Sequence, residues 1–262
     1  MIDYLSLTEK DHTFINGIPC FGNESDGDHF DEEILLSLKN GVFASNFHRN
    51  NLLANTSSGF LLDEIIKNES YIIDLASGPG MGLVSSLMQL NPDFDALITD
   101  ANLNILKGWK KYLDAKEKVL NLSMAQFSLF ELPFKNESVK AFSSFIGVSS
   151  TRGGTEGYDK ALSEIYRCLD NGGRFYTVEN EWSDIPLILD LFEKMGKEPW
   201  SVFLGEQLSW NDRFVKNGFD ILYEEEYADM PLLRNDNELG EAAYKYGVSI
   251  SLKAKAYIVR KR

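Results

Sequence analysis

The stretch Tyr71-Ile72-Ile73-Asp74-Leu75-Ala76-Ser77-Gly78-Pro79-Gly80-Met81-Gly82 decides how this chain is read. Three β-branched or aromatic residues lead into a carboxylate and then into three glycines at alternate positions. The apolar triplet predicts a short buried parallel strand. Without a Cβ, the glycines let the following turn take positive φ and let a ligand approach the backbone. Beyond the turn, Leu83, Val84, Leu87 and Leu90 recur at helical spacing until Asn91-Pro92 ends the run. The unit is strand, turn, helix, with unpaired N–H groups and a positive dipole end facing the turn.

Two ligand classes use such a unit, dinucleotides and S-adenosylmethionine. The dinucleotide fingerprint runs G-x-G-x-x-G and seats a pyrophosphate on the helix N-terminus. Here the glycines run G-x-G-x-G, and Asp74 stands four residues before the first of them. A carboxylate at the strand end repels a pyrophosphate and suits a ligand with an ammonium group. This stretch resembles the cofactor loop of class I S-adenosylmethionine-dependent methyltransferases, the D-h-x-x-G-x-G pattern. A ligand-free βα turn can look the same, so further matches carry the weight.

Two more follow in the family's order. Phe94 to Thr99 reads as the next strand and ends in Asp100, 22 residues after Gly78. An acid there can accept ribose hydroxyls or cap the following helix, whose apolar face is Ile105, Leu106, Trp109, Tyr112 and Leu113. After a third strand from Val119 to Gln126, Leu132-Pro133-Phe134 and Lys135-Asn136-Glu137-Ser138 precede a strand from Val139 to Val148; this is the second match. Many small-molecule methyltransferases place an acid four residues before that leucine, on the adenine amino group, and this chain has Ser128. A serine keeps an acceptor but loses the charge. The third match, Ile165 to Phe175, resembles the helix-to-strand turn before the family's fifth strand, here Arg174 to Val178.

The resemblance covers residues 71–175 and implies an α/β, Rossmann-like, seven-stranded sheet with helices on both faces and its last strand antiparallel. It implies S-adenosyl-L-methionine as cofactor, held at Asp74, Ala76, Gly78, Gly80, Asp100, Ala101, Ser128, Leu129 and Ile146. The Asn/Asp-Pro-Pro-Tyr/Phe tetrapeptide of amino-methylating enzymes is missing from Ser149-Ser150-Thr151-Arg152-Gly153-Gly154, so the acceptor is expected to be a small molecule. Arg152 is either a solvated loop residue or a contact for an anionic substrate. No catalytic residue or metal cluster is evident; Tyr176 and Glu179 are more often structural at such places. Two alternatives stay open: a module that holds the cofactor without chemistry and a dinucleotide-dependent oxidoreductase.

Composition sets outer bounds. The 262 residues carry a net charge of −14, with 40 acidic against 26 basic side chains. Such a surface repels phosphate backbones at long range, against a nucleic-acid partner. Two cysteines without C-x-x-C spacing exclude a disulfide framework. No run is long and apolar enough for a membrane span, and no signal-peptide core opens the chain, so a cytoplasmic protein off the membrane is expected. Oligomeric state is not legible.

Residues 1–66 are expected to form an N-terminal extension with helices and residues 67–262 the methyltransferase domain. Phe14 to Phe21 reads as two extended pieces around Asn16-Gly17, resembling the end of a zinc-ribbon module without its cysteines. A short helix holds Ile34, Leu35 and Leu38; another, from Asn51 to Ile66, turns Leu52, Leu53, Phe60, Leu61 and Ile65 towards the core. Phe43 to Arg49 between them is expected to close over the ligand, with Arg49 a candidate for its carboxylate. Late in the chain, Ser183 and Ser209 open helices, Phe219 to Tyr227 and Val248 to Arg260 read as strands, the latter edge-like, and Ala228 to Gly247 as a loop insertion covering the pocket.

Overall fold

The computed structural model describes residues 3–22, 59–80, 82–114, 121–151 and 153–262. Among them, nine strands form one sheet: β1 (Thr13–Ile15), β2 (Ile18–Cys20), β3 (Tyr71–Asp74), β4 (Asp95–Asp100), β5 (Leu122–Gln126), β6 (Val139–Phe145), β7 (Leu169–Trp182), β8 (Phe219–Pro231) and β9 (Ser251–Lys261). Their spatial order is β1-β2-β5-β4-β3-β6-β7-β9-β8. The strands β5, β4, β3, β6 and β7 run parallel, and β9 lies antiparallel between β7 and β8. Where seven strands were expected, the described residues form nine, with β9 antiparallel to its neighbours and the β1–β2 hairpin at the β5 edge.

Seven α-helices are described: α1 (Gly59–Asn68), α2 (Val84–Leu90), α3 (Leu103–Asp114), α4 (Gly154–Cys168), α5 (Ile185–Met195), α6 (Trp210–Lys216) and α7 (Glu238–Tyr246). Alternation along β3 and β4 sends Ile72, Ala96 and Ile98 to one face, where Leu61, Leu62, Ile65, Leu87, Leu106 and Trp109 of α1, α2 and α3 cover them. The other face carries Ile73 and Leu97 against Tyr158, Leu162, Ile165 and Phe214 of α4 and α6. Both faces of the parallel strands are thus dry, which explains the near-continuous apolar run of β3. No helix among the described residues is long and apolar enough to cross a membrane.

Several expectations need correction. The strand β9 is interior, because β8 folds back outside it; Ala254, Ala256 and Val259 are fully or almost fully buried. The α5 cap is Asp184, whose side chain accepts from Leu187 N–H at 3.0 Å, while Ser183 lies before it. Ser209 caps α6 as expected, accepting from Asp212 N–H at 3.1 Å. Phe60 does not enter the core; its ring lies 4.5 Å from that of Tyr223 and is 44% exposed. The end of α2 leaves Leu90 half exposed. The Phe14–Phe21 hairpin joins the sheet through Cys20 beside Gln126. The helix holding Ile34, the Phe43–Arg49 segment, Leu52, Leu53, Met81 and Arg152 lie outside the described residues.

The 228–247 segment is no bare loop. Its first residues extend β8, and α7 packs Leu239, Ala242 and Ala243 against Ile188, Leu191 and Phe192 of α5 and against Phe203. This annex grows from the carboxyl ends of β7 and β8, where Trp182 faces Leu252 and Pro231 faces Ser251. Those ends share an edge with the glycine turn, since β7 runs parallel to β6 and β3.

Candidate functional site

The carboxyl ends of β3, β4, β5 and β6 converge on the glycine turn, the switch-point position where open α/β sheets bind ligands. Asp74, the last residue of β3, is fully buried. Its Oδ1 accepts from Ser143 Oγ and its Oδ2 from Ser77 Oγ, both at 2.6 Å. Thr99 Oγ1 donates to its carbonyl at 2.8 Å. Burial pushes the Asp74 carboxyl up to about 7, against the pull of the two serine hydroxyls. The turn folds over it: a Cβ at Gly82, where φ is +50°, would stand 2.3 Å from Asp74 Oδ2. Only glycine fits there, a close approach that the spacing foreshadowed without showing what is approached.

Asp100 ends β4 with both oxygens engaged. Gly78 N–H donates to Oδ2 at 2.9 Å and Asn102 N–H to Oδ1 at 2.8 Å. Each oxygen keeps a lone pair for a further donor. Burial raises its carboxyl to about 6. Trp109 of α3 ties down the same glycine, its Nε1–H donating to Gly78 O at 3.0 Å. The ribose and helix-capping readings of Asp100 share a feature neither anticipated, a direct bond to the glycine turn.

Ala76 and Ile146 follow β3 and β6 and both have positive φ, +49° and +61°. For a β-branched residue this conformation costs on the order of 1–3 kcal/mol and persists only where its surroundings enforce it. They do so here. Ile146 N–H donates to Val178 O at 2.6 Å, Leu75 N–H to Ser143 O at 2.8 Å and Ser144 Oγ to Leu75 O at 3.2 Å. Glu179 secures the rest of the post-β6 loop: buried, it accepts from Ser149 N–H at 2.8 Å and Thr177 Oγ1 at 2.6 Å. Burial raises its carboxyl to about 7. Tyr176 is elsewhere, its hydroxyl donating at 2.8 Å to Glu69, between α1 and the start of β3.

On the β5 side, Ser128 turns back on its own loop, its Oγ accepting from Phe130 N–H at 3.2 Å. Leu129 is buried and Ala101 partly so. Sequence reasoning passed over Gln126, which closes β5 beside Asp100 with its Nε2–H donating to Ala101 O at 3.0 Å. A buried carboxamide ending a strand, two residues before Ser128, was the available signal.

The model of the ubiE/COQ5 methyltransferase family matches residues 60–205. The chain belongs to that family. The match takes in the glycine turn, Asp100, Gln126, Ser128, Ile146 and Glu179, and leaves out β8, α7 and β9. The ubiquinone/menaquinone biosynthesis C-methyltransferase UbiE of Rhizobium etli is 28% identical over 122 residues, 47% of this chain and 46% of that protein. The Bartonella bacilliformis protein of the same name is 28% identical over 122 residues, 47% of this chain and 45% of its own. The chain spans about half the length of the curated relatives it matches. A crystal structure described as a methyltransferase from Bacillus halodurans superposes with a TM-score of 0.56 at 16% identity, covering 76% of this chain and 96% of that one. A geranyl diphosphate methyltransferase in complex with S-adenosylmethionine gives 0.51 at 13% identity, covering 78% and 84%. At these identities the likeness is one of fold.

Proposed function

We propose that this chain transfers a methyl group from S-adenosylmethionine to a small-molecule acceptor. The observation that carries the proposal is Asp100: a buried acid at the end of β4, bonded to the glycine turn and with lone pairs to spare for a ribose diol. The site also fits the cofactor's charge. Asp74 is a buried carboxyl group bonded to Ser77, Ser143 and the Leu83 backbone, and a cationic ligand above the turn would favour its ionised form.

The bound sulfonium would supply a methyl group already activated for displacement, so alignment is the main task left to the protein. The chain's own residues meet that task by rigidity. Ser77 and Ser143 hold Asp74, Asp74 sets the space that Gly82 must leave clear, and Asp100 with Trp109 pins Gly78. Ala76, Gly80, Ala101, Ser128, Leu129 and Ile146 would line the rest of the cofactor cleft. Glu179 holds the post-β6 loop through Thr177, Val148 N–H and both the N–H and the hydroxyl of Ser149, which suits a positioning role. In this reading residues 67–262 form the methyltransferase domain, residues 1–66 its extension, and the α5/α7 annex walls the acceptor side. The relatives named as C-methyltransferases favour carbon as the receiving atom.

Calorimetry with S-adenosylhomocysteine, paired with a methyl-transfer assay, tests the proposal. Asp100→Ala should weaken binding by about 1.5–3 kcal/mol, roughly tenfold to a hundredfold. Unchanged affinity in a folded variant would place the ligand elsewhere. Binding without turnover on any acceptor would leave a holding module instead of an enzyme.

A further inference from the structure

We infer that residues 4–21 and Arg167 form a positioning device for the loop after β5, and that this device raises affinity for the cofactor; the inference rests on the reading above. The family match begins at residue 60, so the N-terminal segment lies outside it. That segment follows β5 and the residues beyond. The Tyr4 hydroxyl donates to Met124 O at 3.3 Å, and Phe21 N–H donates to Gln126 O at 3.0 Å. Glu9 N–H donates to Pro133 O and Lys135 N–H to Leu7 O, both at 2.9 Å, around a bridge between Thr8 and Phe134. Lys10 Nζ lies 2.6 Å from Glu131. Arg167 of α4 fastens the same loop to the domain. Its five N–H groups are all engaged at 2.8–2.9 Å: Nε and Nη2 with Glu164, Nη2 also with Leu132 O, and Nη1 with Phe134 O and Asn136 Oδ1.

Burial alone does not require this clamp. Leu132 and Phe134 are already fully buried, and apolar burial is non-directional. Bonds to the backbone at Leu132, Pro133, Phe134 and Lys135 add a fixed path for the chain. That path starts beside the proposed ribose acid: Phe127 N–H donates to Asp100 O at 3.3 Å, and Ser128 and Leu129 come next. In the reading above, the turn after β3 takes the cationic end of the ligand and Asp100, after β4, takes the ribose. The strand β5 is the next in the sheet, so the base falls beside the loop that β5 enters. A strap that favours the ligand-holding path of this loop is coupled to the ligand. The coupling is reciprocal, so the bound ligand must stabilise the strap as the strap stabilises binding.

One experiment uses wild-type protein and follows hydrogen exchange at Glu9 and Lys135 N–H, the two amides that join strap to loop. Saturating S-adenosylhomocysteine should slow both by about threefold to tenfold more than it slows the amides of α7, the span of one net hydrogen bond. No such excess with the ligand bound overturns the inference. A second experiment uses Glu9→Pro, which removes the N–H on Pro133 O, and Arg167→Lys, which cannot span Leu132 O and Phe134 O together. Each variant should bind S-adenosylhomocysteine about threefold to tenfold more weakly, yet bind S-ribosylhomocysteine, the same compound without its base, within about twofold of wild type. Equal losses for the two ligands, or folded variants with wild-type affinity for S-adenosylhomocysteine, overturn the inference. If a variant does not fold, the exchange measurement on wild-type protein decides by itself. Wild-type protein that fails to bind S-adenosylhomocysteine would overturn the underlying reading, a result distinct from binding without the exchange effect.

Discussion

Where β3 and β4 end, the interior is polar: two carboxyl groups, three hydroxyls and a carboxamide sit below the glycine turn. Beyond β7 and β8, the α5/α7 annex is built the other way. Its interior is Ile188, Leu191, Phe192, Phe203, Leu239 and Ile250, and its charged pairs, such as Lys194 with Asp190 at 2.6 Å, stay at the surface. The annex holds together by apolar burial, which is non-directional and stabilises in proportion to area. The binding corner holds a shape instead. Each buried carboxyl opposes folding through desolvation, and the hydrogen bonds that offset it also set the turn.

If that contrast is sound, truncations in the two regions separate stability from binding. Phe192→Ala removes a fully buried ring from the annex and should cost about 3–5 kcal/mol in denaturant unfolding. The surviving folded protein should keep its affinity for S-adenosylhomocysteine. Lost affinity would mean that the annex shapes the cofactor cleft as well.

Gly82→Ala adds one methyl group at the corner. It meets Asp74 Oδ2 and a φ of +50°, and should cost about 2–4 kcal/mol. Here binding should fall in the folded fraction too, because the turn itself moves. A variant that binds normally would dissolve the proposed link between Asp74 and the turn.

Glu179→Gln probes the carboxyl groups through pH. In the unfolded chain Glu179 releases its proton near 4.5, whereas the folded protein keeps it until about 7. The native state therefore holds more protons in that window, and stability is highest at its acid end and falls as pH rises to 7. Asp74 and Asp100 add the same sign, with raised values of about 7 and about 6. A shift of this size corresponds to about 3 kcal/mol for Glu179. The amide keeps the acceptor for Ser149 N–H, so its melting curves from pH 4.5 to 8 should show a shallower decline than wild type. Parallel curves would show that Glu179 does not titrate in that range. The smallest effect belongs to Lys194→Ala, which breaks an exposed annex pair and should leave the melting temperature unchanged.

Much of this was legible in one dimension because the signals are local. The glycine turn, the Asp100 spacing, the strand from Val139 and the Ser209 cap all rest on periodicity or turn chemistry within a few residues, and the structure has them in place. What the sequence could not determine depends on partners far along the chain. The interior position of β9 follows from β8 folding outside it, and no alternation within 248–260 reports that. Phe60 reads as core by helical spacing, yet its exposure depends on Tyr223. The apolar residues of 228–247 signal burial but not their partners, which α5 supplies from some 50 residues upstream. Residues 4–10 carry no mark of the partners they meet at residues 131–135. Local conformation is encoded by neighbours in sequence, whereas burial, strand order and a long-range hydrogen bond are properties of what packs against a residue, and only the tertiary structure decides those.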